Sequence, residues 1–221
     1  MTATLTRYDS TPASTLLAPS QRPALVYLAH LGPGSRRTMR QALDVIATLV
    51  SGGVLDAETM RWDALQYSHT TAIRSALAER YAPTAATKML CALRGVLKEA
   101  WRLGLMDAET YHRAADFPGV KGERLPRGRA LSTGELRSLF RVCGDDPSPA
   151  GRRDAAMLAV LYGAGLRRSE VVSLDLNDYE PESGTVTVRQ GKGRKDRLGY
   201  AAAGAQEALD GWLNVRGSEP G

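Results

Sequence analysis

The chain has 221 residues, of which 43% are hydrophobic, and this length is enough for one large or two small domains. Its 29 basic and 24 acidic residues give a formal net charge of +5, which favours an anionic partner without identifying it. Cys91 and Cys143 are too few for a disulfide scaffold or zinc site, and neither a signal-peptide pattern nor a run of ~20 apolar residues is present, so we expect a cytoplasmic protein without membrane attachment.

The first part of the chain predicts an arm followed by a small helical domain. Residues 1–22 are rich in Ser, Thr, Ala and Pro without periodicity, which indicates a flexible arm. Residues 23–116 contain four predicted helices, enough for a small all-helical domain. The first helix begins at Ser35, the second spans Trp62–Tyr81, the third begins at Pro83 and the fourth runs from Asp107 to Ala115. The third helix has an apolar seam of Met89, Leu93, Val96, Leu97 and Ala100.

Basic side chains lie away from the predicted apolar faces of these helices. A solvated surface and a contact with a polyanion both explain such a pattern, and the sequence leaves the two open. The candidates for such a contact are Arg36, Arg37, Arg40, Lys88, Arg94 and Lys98.

Residues 117–130, FPGVKGERLPRGRA, predict a basic linker between two domains. Their proline and glycine content resists both helix and sheet. A flexible basic joint can also follow a phosphate backbone. The cations of this linker are Lys121, Arg124, Arg127 and Arg129.

The last part, residues 131–221, predicts a domain of mixed structure. Ser132 and Glu135 have the spacing of a capping box and predict the start of a helix. An almost unbroken apolar run then predicts a helix that is buried on most sides. This helix covers 153–162. It is followed by β-strands over 184–189 and 195–200, which form a hairpin, and by a helix over 205–215.

Two features of this domain suggest chemistry. Gly163 and Gly165 break the apolar helix, and this turn predicts that Arg167 is held near the core, where a planar, permanently charged guanidinium suits a phosphate oxygen. Lys192 lies between two glycines at the hairpin tip, where a lysine of lowered pKa can donate a proton. A solvated edge that resists aggregation explains the same basic hairpin. Beside Lys192, the hairpin cations that are candidates for contact with a polyanion are Arg189, Arg194, Lys195 and Arg197.

The segment GAGLRRSEVVSLDLNDY at 163–179, followed by GTVTVRQGKGRKDR at 184–197, resembles the tyrosine recombinases of the phage-integrase family, especially Xer-type and integron-like members. The preceding RDAAMLAVLYGAG, the helical domain and the basic linker are similar as well. The resemblance implies a mainly α fold. Its parts would be a four-helix, SAM-like core-binding domain over 23–116 and the first half of an α+β catalytic domain with a β-hairpin over 131–221.

The resemblance also implies roles for single residues. Arg167 matches the first catalytic arginine, which balances charge on the scissile phosphate, and Lys192 matches the lysine that protonates the departing 5′ oxygen. Glu170 matches a carboxylate that supports the arginine, and Arg168 is either a phosphate contact or a surface charge. The implied reaction is transesterification through a 3′-phosphotyrosyl link without metal or other cofactor. The implied partner is duplex DNA, bound by a homo- or hetero-tetramer of the full-length protein.

The sequence departs from the family pattern after the hairpin. The family has a His-x-x-Arg box, a further His or Trp and a nucleophilic tyrosine there, but the histidines of this chain are His30, His69 and His112, and Tyr200 is the only tyrosine beyond Lys192. We therefore expect residues 1–221 to bind DNA without cleaving it. Two interpretations follow, the DNA-binding portion of a recombinase and a non-catalytic regulator or remnant of an integrase. A helical protein-interaction module is a third.

Overall fold

The computed structural model describes residues 18–122, 128–189 and 195–217 of the chain. The chain divides into two compact units, Met1–Leu125 and Pro126–Gly221. Helices predominate and the second unit contains a small antiparallel sheet, which confirms the predicted mainly α fold class. None of the described helices is long and apolar enough to cross a bilayer.

The first unit has five α-helices among its described residues, three of which begin at a proline. Proline suits the first helical position because its φ is already helical and the N–H it lacks would have no partner there. The prediction of four helices is wrong by one, because a seven-residue helix at Pro23 is too short to show an apolar period. The helices are α1 (Pro23–Ala29), α2 (Pro33–Ser51), α3 (Tyr67–Arg80), α4 (Pro83–Arg102) and α5 (Ala108–Ala115).

The core of the first unit is centred on α4. Leu93, Val96 and Leu97 are fully buried, which confirms this part of the predicted seam. Helix α1 packs on α4 at Gly95, where the ring of Tyr27 occupies the space that a Cβ would need. This close approach explains the glycine inside a long helix, where it would otherwise cost about 0.8–1.0 kcal/mol relative to alanine.

The beginning of the predicted linker is packed against the first unit. Phe117 is only 3% exposed, and Arg94 donates a hydrogen bond to its carbonyl while the guanidinium lies 4.3 Å above its ring. Arg74 donates to two further carbonyls of residues 117–120 at 3.0 and 3.3 Å, and Thr87 donates to a third at 3.3 Å. The predicted flexible linker therefore starts too early, because these side chains satisfy its backbone carbonyls.

The second unit combines four α-helices with a three-stranded sheet among its described residues. Its elements are α6 (Thr133–Asp145), α7 (Pro149–Gly163), α8 (Arg168–Val171), β1 (Tyr179–Glu180), β2 (Thr185–Val188), β3 (Arg197–Tyr200) and α9 (Ala203–Arg216). The strands are antiparallel in the order β1-β2-β3, and Val188 pairs with Arg197 in the predicted hairpin. The capping box is confirmed, since Ser132 Oγ accepts the N–H of Glu135 at 3.2 Å and the Glu135 carboxylate accepts the N–H of Ser132 at 2.8 Å.

Helix α7 is buried on only part of its surface. Ala159 and Val160 lie in the core, but Met157 and Tyr162 are 37% and 67% exposed. The prediction of a helix buried on most sides is wrong, because α6 and α9 cover part of α7 and leave these two large side chains accessible. A continuous apolar run does not by itself reveal how many neighbours a helix has.

Candidate functional site

The connection from α7 to α8, residues 163–167, is here called the arginine turn. Gly165 has a φ of 61°, in the left-handed region that favours glycine. Leu166 is 5% exposed and packs so closely on Gly199 of β3 that a Cβ there would lie 3.2 Å from its methyl group. Arg167 follows this buried leucine, so its backbone is anchored near the core, while its side chain is 58% exposed. The turn presents a charged group to solvent from a fixed base.

Glu170 holds this arginine from the first turn of α8. Its side chain is 5% exposed, and its carboxylate accepts the backbone N–H of Arg167 at 2.9 Å and Nη1 of the same residue at 2.7 Å. The backbone hydrogen bond from Arg167, followed by the hydrogen bond from the Arg197 side chain, lowers the pKa of Glu170 to about 2. The carboxylate is therefore charged at neutral pH, and it orients the guanidinium beside it.

Arg189 and Arg197, at the base of the basic hairpin, also form ion pairs with carboxylates. Nη2 of Arg197 donates to Oε2 of Glu170 at 2.7 Å, and Nε of Arg189 donates to Oδ1 of Asp178 at 2.5 Å. Asp178 is 3% exposed. Although its burial raises its pKa, the hydrogen bonds from Arg189 and from the backbone N–H of Asp175 leave the pKa below the usual value. Both pairs are therefore ionised.

Six of the predicted polyanion contacts have partners inside the protein. Arg36 donates to the carbonyls of Leu28 and Leu31 at 3.0 Å each, where it satisfies the C-terminal end of α1. The other five pairs are Arg40 with Glu58, Arg94 with Phe117, Arg129 with Glu135, Arg189 with Asp178, and Arg197 with Glu170. For Arg40, Arg94, Arg189 and Arg197 the sequence did not reveal these contacts, because each partner lies 11 to 27 residues away.

Six other candidates are exposed and make no side-chain hydrogen bond or ion pair with any described residue. Lys88 and Lys98 belong to this group, and both lie on the outer side of α4, before and after the point where Tyr27 meets Gly95. Such cations are available to bind phosphates. The group consists of Arg37, Lys88, Lys98, Lys121, Arg168 and Lys195, whereas Arg124, Arg127, Lys192 and Arg194 lie outside the described residues.

Each of the three histidines has a contact within the first unit. Nδ1 of His69 accepts the backbone N–H of Gln66 at 3.0 Å and so caps α3. His30 lies 3.9 Å from the carboxylate of Glu99, and His112 packs against the ring of Tyr111 with 5.1 Å between ring centroids. Their contacts are those of structural residues.

Sequence reasoning overlooked Asp178 and Arg74. Asp175 and Asp178 form a capping box around the 3-10 turn Leu176–Asp178. Asp175 is its N-cap residue and Asp178 its N3 residue. The Asp-x-x-Asp spacing was a readable signal for this role. Arg74 gave no such signal, because its carbonyl partners are more than 40 residues away in the sequence.

Tyrosine recombinases are among the known proteins to which this chain is similar in sequence. Residues 129–220 match the phage integrase family. Tyrosine recombinase XerC of Pseudomonas putida is 34% identical over 190 residues, which cover 85% of this chain and 58% of that protein. Tyrosine recombinase XerD of Mycobacterium leprae is 37% identical over 135 residues, 60% of this chain and 41% of that protein. The matched residues thus span 58% of the first of these curated relatives and 41% of the second.

Solved structures agree with the fold. The Tn1549 transposon integrase in complex with transposon right end DNA matches with a TM-score of 0.64 and 12% identity, over 89% of this chain and 66% of that chain. The XerH site-specific recombinase bound to a palindromic difH substrate matches with a TM-score of 0.61 and 19% identity, over 92% of this chain and 59% of that chain. At these identities the likeness is one of fold.

Proposed function

Because this chain belongs to the tyrosine recombinase family, we propose that it is the DNA-binding portion of a site-specific recombinase of the phage-integrase type. Two recombinases of similar fold have DNA bound in their structures. The net charge of +5 agrees with a polyanionic partner. Duplex DNA is therefore the proposed ligand, and a tetramer across two recombination sites is the proposed assembly of the full-length protein.

The observation that carries this proposal is an anchored yet exposed Arg167. One nitrogen of its guanidinium, Nη1, is engaged by the buried Glu170, and the other two guanidinium nitrogens make no hydrogen bond to a described residue. They are free to donate to the oxygens of a scissile phosphate. A cation that is already oriented before the reaction stabilises the charge that develops on a phosphate in its transition state, without the cost of reorganisation.

Lys192 and Arg168 complete the proposed phosphate site. We assign Lys192, outside the described residues, the transfer of a proton to the departing 5′ oxygen as the P–O bond breaks. Arg168 is exposed beside Arg167 and is the proposed second phosphate contact. We assign no nucleophile within residues 1–221, since the family resemblance places the nucleophile after a His-x-x-Arg box, whereas Tyr200 lies in β3, directly after the hairpin. Strand transfer through a phosphotyrosyl link is thus proposed for the whole recombinase.

Binding to duplex DNA tests the first part of this proposal. Fluorescence anisotropy over a range of salt concentrations should show affinity that falls steeply with salt, because each phosphate contact releases counterions. Lys88→Met should reduce the log–log slope by about 0.9, since Lys88 is unpaired among the described residues. Arg40→Met is the matched control and should leave the slope unchanged, because Arg40 is paired with Glu58. Affinity that is independent of salt would contradict DNA binding.

A non-catalytic DNA-binding regulator is the second candidate, favoured by histidines that all contact residues of the first unit. The intact mass of the protein purified from its host separates the two. A mass of 23.8 kDa, together with no covalent complex on supercoiled plasmid, supports the regulator. A larger mass and a covalent protein–DNA product support the recombinase.

A further inference from the structure

The base of the basic hairpin is fixed by two arginines. Arg189 follows β2, and Arg197 is the first residue of β3, where it pairs with Val188 across the ladder. Both are among the cations that the sequence offers as contacts with a polyanion. In the structure, each guanidinium is bound to a carboxylate that is at most 5% exposed, Glu170 or Asp178.

Arg197 and Arg167 share one carboxylate. Oε2 of Glu170 accepts Nη2 of Arg197 at 2.7 Å and the backbone N–H of Arg167 at 2.9 Å, and Oε1 accepts Nη1 of Arg167 at 2.7 Å. Nη2 of Arg197 also lies 3.3 Å from the carbonyl oxygen of Gly165. Arg197 therefore contacts both the arginine turn and the carboxylate that orients Arg167.

These contacts argue against a direct role of Arg197 in DNA binding. Its side chain is 35% exposed, and Nε is buried without a hydrogen-bond partner among the described residues. Moving this guanidinium to a phosphate would leave Glu170 with a buried negative charge and one fewer partner, which is unfavourable. Arg168, by contrast, is exposed and has no such partner among the described residues.

Arg189 is a useful contrast because its partner is separate. Asp178 accepts Nε of Arg189 at 2.5 Å and, through its second oxygen, the backbone N–H of Asp175 at 3.0 Å. Neither residue has a hydrogen bond to Glu170 or Arg167 among those of the described residues. The two pairs are alike in chemistry, but only one of them reaches the arginine turn.

We propose that Arg197 is a positioning residue for Arg167, acting through Glu170, and not a DNA contact. This inference rests on the proposed function, in which Arg167 binds a phosphate. Arg197 ties the start of β3 to Glu170, and Glu170 in turn holds the backbone and guanidinium of Arg167. The hairpin base and the phosphate-binding arginine are thereby kept in one arrangement.

A double-mutant cycle on DNA binding tests the coupling. Anisotropy titrations of the full chain with a short mixed-sequence DNA duplex would compare Arg167→Met, Arg197→Met and the double variant. We expect each single change to reduce the salt slope by about 0.9, and the double variant to match Arg167→Met, because one phosphate contact is lost in every case. Additive losses would show that Arg197 binds DNA itself, and an unchanged slope for Arg197→Met would show no coupling. Either result overturns the proposal.

A second measurement does not depend on DNA. Amide hydrogen exchange of Arg167, followed by NMR in the full chain, reports on the hydrogen bond from its N–H to Glu170. We expect faster exchange in Arg197→Met, partial recovery in Arg197→Lys, and unchanged exchange in the control Arg189→Met, which loses a similar ion pair elsewhere. Unchanged exchange in Arg197→Met would overturn the positioning role. Failure of the wild-type chain to bind duplex DNA would instead refute the proposed function, with this readout still interpretable.

Discussion

The two units differ in what they bury. In the first unit, large side chains such as Trp62 and Met60 are no more than 1% exposed. In the second unit, the buried cluster around Val186 consists mostly of alanine and valine, and the carboxylates of Glu170 and Asp178 are buried beside it. The first unit is thus rich in apolar burial, and the second combines a thin core with ion pairs.

Because of this difference, we expect the two units to differ in what their buried contacts contribute, stability in the first and the placement of side chains in the second. Burying a large apolar side chain contributes about 1.5–3 kcal/mol, and the direction of approach matters little. A buried ion pair adds little net stability because desolvation offsets the attraction, but it requires specific partners at specific distances. The first unit is therefore expected to be the robust part of the chain, and the second unit to be the part in which single contacts determine the orientation of Arg167.

The largest expected effect on stability comes from the apolar core of the first unit. Leu93→Ala should lower the free energy of unfolding of the first unit by about 2–5 kcal/mol, because Leu93 is fully buried and its loss leaves a cavity. Urea unfolding followed by NMR signals of each unit would measure it. Leu198→Ala is the control and should change stability by less than about 0.5 kcal/mol, since Leu198 is 55% exposed. An equal loss in both units would contradict the separation between them.

A smaller effect is expected at the start of α7 in the second unit. A Cβ at Gly151 would collide with the backbone carbonyl oxygen of Asp146, so Gly151→Ala should cost about 1–3 kcal/mol. Gly144→Ala serves as the control, because nothing lies within 4 Å of its Cβ position. Thermal unfolding of the second unit would compare the two. A neutral Gly151→Ala would show that this loop adapts more readily than its packing indicates.

The smallest effect is a dependence of the stability of the second unit on pH. The pKa of Glu170 is lowered from 4.5 to about 2 in the folded protein. A carboxylate with a lowered folded-state pKa stabilises the fold above its unfolded-state pKa, and this contribution is lost as the pH falls from about 4.5 towards about 2. The unfolding temperature reported by β2 amides should therefore fall over this range. Glu170→Gln should show a weaker dependence. What is left comes from the other carboxylates of this unit whose pKa is lowered, Glu135, Asp146 and Asp178. An identical pH profile would contradict the role of Glu170.

Local patterns predicted much of the fold. The spacing of Ser132 and Glu135 predicted a capping box. The apolar period of α4 predicted part of its buried face, but Met89 is only partly buried and the fully buried Leu90 was not predicted. The alternation of threonine and valine, both β-branched, within 184–189 predicted a strand, and the turn after it predicted the second strand of a hairpin. These features depend on residues that are near each other in sequence, where the period of a helix or strand already determines which side chains meet. The position of Arg167 after a glycine turn was predictable for the same reason.

The sequence by itself determined the class of the fold, the order of its elements and the concentration of positive charge. Only the tertiary structure decided which cations are available to a phosphate. Arg168 and Arg197 are alike in sequence terms, yet one is exposed and the other is bound to Glu170 from 27 residues away. The same holds for Arg94, whose partner is Phe117. Charge is a property of the residue, whereas its neutralisation depends on which distant groups the packed chain brings within hydrogen-bonding distance.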